Sequence, residues 1–247
     1  MSKNILVIGA TSSIAQSCIK IWAKYEGSFF LVAKDKKKLE IMRDNLMSRG
    51  KKSVSIFASD LIEINNHEVF VEQAFKQLGE IDIALIAHGT LPKQEEIEND
   101  NKALVKEFMV NGLSTISILT TLCKKFEKQK FGSIGVISSV AGDRIRRSNY
   151  IYGTAKGMVS MFCEGLRMKL YKSNVFLTDI RPGFVETKMT KDLSMPPFLV
   201  SQPEHVAKNI VNGIKRKKNV IYTPFYWIAI MFIIRLIPNF IFKKLKF

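Results

Sequence analysis

The chain has 247 residues, 47% of them hydrophobic, which excludes a disordered or fibrous protein and suits a single α/β domain. Its net charge of +16 comes from basic residues spread over 36–38, 51–52, 124–125 and 215–218. No helix-turn-helix, zinc module or RNA-binding aromatic signature accompanies them, so nucleic acid is not an expected partner. These lysines read as solvated faces, or as contacts to an anionic membrane surface.

Cys18, Cys123 and Cys163 are scattered and form no Cys-x-x-Cys pair, so they read as reduced core thiols of a cytosolic protein. No metal-ligand spacing is present, and no metal is expected. Residues 1–4 run straight into an apolar strand, and no signal peptide is expected. Apolar runs at 5–8, 29–33, 54–58, 83–87, 133–137, 175–180 and 220–222 suit strands buried on both faces of a parallel sheet. Helical patterns lie between them at 14–25, 36–48, 66–78, 101–126, 155–170 and 203–215. Parallel strands need crossover connections, so this alternation predicts a doubly wound α/β sheet.

The first strand ends in Gly9-Ala10-Thr11-Ser12-Ser13-Ile14-Ala15. A tight turn into a helix N-terminus offers backbone N–H groups and a positive dipole end to a pyrophosphate. Glycine lets the backbone approach closely, and Thr11, Ser12 and Ser13 add hydroxyls. Only one of three expected glycines is present, so a plain capped turn is the competing reading. The second strand ends at Ala33-Lys34, with no acid to hold a ribose 2′-hydroxyl. Lys34 could pair with a 2′-phosphate, which favours NADP(H). Asp35, one residue on, could instead serve the hydroxyl. Asp60 follows the third strand, where an adenine would lie.

Tyr152-Gly153-Thr154-Ala155-Lys156 puts a phenol and an ammonium on one helix face. The cation is expected to lower the tyrosine pKa, so that Tyr152 exchanges a proton with a carbonyl or alcohol oxygen. Ser139, at a strand end in Ser138-Ser139-Val140-Ala141-Gly142, can converge on the same oxygen. Asn111 in Met109-Val110-Asn111-Gly112 is a polar residue set in an apolar helix. Arg181-Pro182-Gly183-Phe184-Val185-Glu186-Thr187 follows a later strand.

The order Gly9 turn, Asp60, Asn111, Ser139, Tyr152, Lys156 and Pro182-Gly183 resembles the short-chain dehydrogenase/reductase family from residue 4 to about 223. The resemblance implies a single Rossmann-type domain over 1–223 that binds NADP(H) through Gly9, Thr11, Ser12, Ser13, Ile14, Lys34, Asp60, Gly89, Tyr152, Lys156, Pro182, Gly183, Val185 and Thr187. It implies that Ser139 orients a carbonyl, Tyr152 is the acid/base and Lys156 binds the nicotinamide ribose. Asn111 would hold a relay water, and Val185 and Thr187 would meet the nicotinamide end. Two departures stand out. The glycine turn is depleted, and Ile86-Ala87-His88-Gly89 replaces the usual Asn-Asn-Ala-Gly. His88 is either a new contact or a satisfied structural residue; His67 and His205 read as surface residues.

A narrower resemblance, to decaprenylphosphoryl-2-keto-erythro-pentose reductases, rests on Arg144, Arg146, Arg147 and the tail. It implies that Arg144 and Arg147 bind the phosphate of a lipid-linked keto-sugar. A solvated basic loop is the alternative. The tail, 224–247, holds an apolar run at 225–234, then Arg235, Pro238 and the closing Lys243, Lys244 and Lys246. Arg235 and Pro238 disfavour a span; an amphipathic helix lying in the membrane interface fits better. An oligomer interface is the rival, and a homo-oligomer is expected. The expectation is a carbonyl reductase in the cytoplasm, peripheral on the inner face of the membrane. A 3-keto lipid or acyl reductase is an alternative, as is a non-catalytic cofactor-binding module at the membrane.

Overall fold

The computed structural model describes residues 2–191 and 196–245. The elements run β1 (Ile5–Ile8), α1 (Ser13–Trp22), β2 (Ser28–Ala33), α2 (Lys36–Ser48), β3 (Ser53–Ala58), α3 (Asn65–Leu78) and β4 (Ile83–Ile86). Then come α4 (Gln94–Ile97), α5 (Asn101–Phe108), a π turn (Met109–Leu113), α6 (Ser114–Gln129), β5 (Gly132–Ile137) and α7 (Tyr150–Leu170). The chain continues with β6 (Val175–Pro182), β7 (Phe184–Val185), β8 (Val200–Ser201), α8 (Pro203–Lys215), β9 (Val220–Thr223), α9 (Trp227–Leu236) and α10 (Asn239–Phe242).

The main sheet is all parallel, ordered β3-β2-β1-β4-β5-β6-β9, and β7 pairs with β8 apart from it. Strand β1 explains why its sequence is apolar throughout. Leu6 and Ile8 face a core layer shared with α3, α6 and α7, while Ile5 and Val7 face the layer shared with α1, α2 and α8. Alternate residues of one strand thus enter opposite cores, and neither face tolerates a polar side chain. Cys18, Cys123 and Cys163 are free and buried in these layers, where burial raises each thiol's pKa. They are unreactive core residues.

Chain order reverses between β1 and β4, which opens a crevice at the carboxyl ends of the strands. The turn after β1 works because Gly9 has φ +78°. A Cβ there would come within 2.6 Å of the His88 backbone nitrogen. Ser12 then caps α1, its hydroxyl accepting from the Ala15 N–H at 3.2 Å.

Several sequence expectations need correction. The helix expected over 101–126 is interrupted by the π turn at Met109–Leu113. Helix α7 starts at Tyr150 rather than 155, so Tyr152 sits in its first turn. His67 is buried, not on the surface: its ring contacts the Ser117 hydroxyl at 3.0 Å and the Leu61 carbonyl at 2.9 Å. His205 is exposed, as expected. Among the described residues no helix is long and apolar enough to cross a membrane. Lys246 lies outside the described residues.

Candidate active site

The crevice is a cleft of about 1560 Å³, and every site residue singled out from the sequence lines it except Arg144. It begins at the Gly9 turn, passes Lys34 and Asp60, and ends among Asn111, Ser139, Tyr152, Lys156 and the Pro182–Gly183 corner. The volume exceeds the range of about 300–1,000 Å³ usual for one small ligand, which leaves room for a dinucleotide and a second molecule.

At the β2 end, Lys34 bonds Asp60 at 2.6 Å. This pairing raises the pKa of Lys34 and lowers that of Asp60. Asp35 is engaged elsewhere. It caps α2 by accepting from the Lys38 N–H at 3.0 Å and pairs with the Lys38 ammonium at 2.7 Å. The carboxylate that competed with Lys34 in the sequence is therefore a helix cap, and Lys34 is the cation at the strand end, paired with Asp60.

At the other end, β5 delivers Ser139 and the first turn of α7 delivers Tyr152, with Lys156 one turn on. Ser139 Oγ accepts from the Ala141 N–H at 3.1 Å, which fixes the hydroxyl on its short 3₁₀ turn. Burial pushes Tyr152 up to about 12, opposed by a hydrogen bond with Ser139 and reinforced by Glu107. This differs from the sequence expectation of a lowered value. The Lys156 ammonium stands 5.8 Å from the Tyr152 ring centroid, and burial sets the direction. Burial also pulls Lys156 down to about 8, opposed by Glu107 and Asp179. Its Nζ donates to the Ile137 carbonyl at 3.3 Å.

Asn111 sits in the π turn, fully buried. The Thr90 N–H donates to its Oδ1 at 3.2 Å, while its Nδ2 donates to the Thr90 carbonyl at 3.0 Å and to Glu107. Gly89 is required here: a Cβ would lie 2.6 Å from Asn111 Oδ1 and 3.2 Å from Lys156 Nζ. His88 contacts Ser114 Oγ at 2.8 Å and Thr115 Oγ1 at 3.3 Å through Nε2. Burial, then the Lys156 charge, lowers its pKa to about 3. It is neutral, with Nε2 satisfied and Nδ1 buried without a partner in the cleft lining.

The sequence reading missed the support beneath Ser139. Ser138 Oγ donates to Asp179 at 2.5 Å, and Arg181 joins Asp179 at 2.8 Å to Asp143 at 2.7 Å. Tyr222 closes the network by donating to Asp143 at 2.6 Å. The polar residues at 138, 143, 179 and 181 were the available signal, but they are far apart in sequence.

Of the three arginines, Arg146 and Arg147 line the cleft. Arg144 turns away to the tail. It donates to the Arg235 and Ile237 carbonyls at 3.1 and 3.0 Å and to Asn239 Oδ1 at 2.8 Å, and it lies over the Phe242 ring. Its donors cap the end of α9, so the structure does not bring it to the site as expected. The tail itself forms one wall. Trp227, Ile230, Ile234 and Ile237 face the cleft, and Trp227 packs on Phe184 with ring centroids 5.4 Å apart.

The family model described as short chain dehydrogenase matches residues 3–196. An uncharacterized oxidoreductase of Mycobacterium tuberculosis is 29% identical over 241 residues, covering 98% of this chain and 96% of that one. A short-chain type dehydrogenase/reductase from Mycobacterium ulcerans superposes with a TM-score of 0.81 at 17% identity, over 99% of this chain and 98% of that one. An actinorhodin polyketide ketoreductase with NADPH superposes with a TM-score of 0.80 at 18% identity, over 91% and 97%.

Proposed function

Since the chain belongs to the short-chain dehydrogenase family and is an oxidoreductase of that kind, we propose that it reduces a carbonyl on an amphiphilic substrate with NADPH. The observation that carries this reading is the convergence of Ser139, Tyr152, Lys156 and Asn111 at one end of a cleft whose other end is the Gly9 turn and Lys34.

The cleft fits a dinucleotide phosphate. Gly9 leaves no room for a side chain where the turn meets the residues after β4, and the start of α1, with Ser12, Ser13 and Ile14, lines the crevice. Thr11, Ser12, Ser13 and Ile14 would hold the pyrophosphate, and Asp60 the adenine. Lys34 would hold a 2′-phosphate, because Asp35 is committed to α2. Gly89, Pro182, Gly183, Val185 and Thr187 would hold the nicotinamide end, which supplies the hydride when bound.

Ser139 Oγ orients the carbonyl oxygen by donating to it. Tyr152, held protonated by burial, gives that oxygen its proton, which suits reduction. Lys156 stabilises the phenolate left behind, and Asn111 holds the path by which the proton is replaced. The finer reading is a polyprenyl-phosphate-linked keto-sugar. Support for it comes from Arg146 and Arg147 in the cleft and from the apolar tail wall. A 3-keto lipid or acyl substrate is the second reading, favoured by the same wall alone. The outer face of the tail, with Lys243 and Lys244 at its end, suits an anionic lipid surface on which such substrates reside.

Replacing Tyr152 by Phe tests the chemistry directly. It should lower kcat by about 10²–10⁴-fold while leaving NADPH binding nearly unchanged. A variant that kept more than about a tenth of the wild-type kcat would falsify the assignment of Tyr152 as the acid.

A further inference from the structure

Glu107 lies in the last turn of α5, outside the cleft lining, and is 5% exposed. A buried carboxyl needs partners, and each of its oxygens has one. Asn111 Nδ2 donates to Oε1, and Thr90 Oγ1 donates to Oε2 at 2.8 Å. Burial pushes the Glu107 carboxyl up, and the Thr90 and Asn111 hydrogen bonds together with the Lys156 charge oppose that by favouring the carboxylate. Lys156 is also buried and has no ion-pair partner within 4.0 Å among the described residues. The two charges are linked through Asn111, whose Oδ1 shares with Lys156 Nζ the space beside Gly89.

We propose that Glu107 is a positioning residue of the proton-handling centre: it fixes the Asn111 amide and Thr90, and it is the counter-charge that keeps Lys156 cationic. This rests on the reading of Tyr152 and Lys156 given above. The groups bearing on the centre from the packed elements are Lys156 and Tyr152 on α7, His88 after β4 and Asp179 on β6. The α4 carboxylates Glu95, Glu96 and Glu98, and Lys106 on α5 itself, are exposed.

The sign follows from charge. Burial disfavours the Lys156 cation, and the Glu107 anion opposes that. The same anion disfavours the Tyr152 phenolate. Removing it should deprotonate Lys156 at lower pH and ease ionisation of Tyr152. Both effects bring the alkaline loss of reductase activity to lower pH.

The test uses the full chain labelled with ¹³C-lysine, with the Lys156 Cε resonance assigned by Lys156→Arg and followed through pH. In Glu107→Gln the Lys156 midpoint should fall by about one unit; in Glu107→Asp, which keeps the charge, it should stay within about half that. The alkaline limb of kcat/KM for NADPH-dependent reduction should move with it. A Glu107→Gln midpoint that coincides with the wild type would overturn the proposal, whatever its kcat. If Glu107→Gln does not fold, Glu107→Met removes the charge without setting a second amide against Asn111. It should lower the midpoint likewise, and no movement would overturn the proposal. The midpoint is read without turnover. Failure of Tyr152 as the acid would show in Tyr152→Phe and is thereby distinguished.

Discussion

Lys34 stands at the end of β2 bonded to Asp60, while Asp35 is drawn into the α2 cap. A 2′-phosphate would meet Lys34 as a charge partner, and a ribose 2′-hydroxyl would find no free carboxylate next to it. NADPH should therefore bind more tightly than NADH, and Lys34→Ala should remove most of the difference, about tenfold or more in Kd. Equal wild-type dissociation constants, measured by fluorescence titration, would return the ribose to Asp35. Much at this scale was legible in the sequence. Gly9, Asn111, Ser139, Tyr152 and Lys156 are residue types whose chemistry or backbone freedom is conspicuous, and the structure gathers them along one cleft. Glu107 was not legible, because a lone glutamate in an amphipathic helix looks like a solvated residue. His67 misled for the same reason: only the Ser117 hydroxyl on α6 and the Leu61 carbonyl satisfy its ring in the core.

At the scale of elements, the strands were legible because each is buried on both faces and so reads as an unbroken apolar run. Helices α2 and α8 match their expected limits, 36–48 and 203–215. The break at Met109–Leu113 was hidden, because a π turn adds a residue without upsetting the apolar pattern on either side. The loop between Ser139 and α7 divides its arginines by function, which spacing alone does not reveal. Arg146 has no hydrogen-bond or ion-pair partner for its side chain among the described residues, whereas Arg144 is spent on α9 and α10. Arg146→Ala should raise KM about tenfold for a phosphate-bearing substrate and leave turnover of a small neutral ketone within about twofold. Equal losses on both substrates would make that side chain structural. Arg144→Ala should instead cost about 1–2 kcal/mol of stability and speed proteolytic cleavage after residue 223, visible by mass spectrometry.

For the whole molecule, the tail supplies both a wall of the cleft and an exposed apolar face. Helix α9 is apolar on every side except for the exposed Arg235: Trp227, Ile230, Met231 and Ile234 pack inward, while Phe225 before it and Ile228, Phe232, Ile233 and Leu236 lie exposed. Phe240 and Ile241 extend that surface, and Lys243 and Lys244 follow it. Removing residues 224–247 should abolish flotation with anionic liposomes. Retained flotation would move the lipid contact elsewhere. Conversion of an oligomer to monomers with liposome binding unchanged, seen by analytical ultracentrifugation, would assign the face to a second copy. Because α9 also walls the cleft, the truncation should weaken substrate binding even in free solution. The same double duty has a practical side. Any detergent that coats the outer face of α9 is one helix thickness from the cleft, and its alkyl chain has the chemistry of the substrate proposed for the inner face. Purification in micelles is then also an inhibition experiment, and rates compared across detergents measure the additive as much as the enzyme.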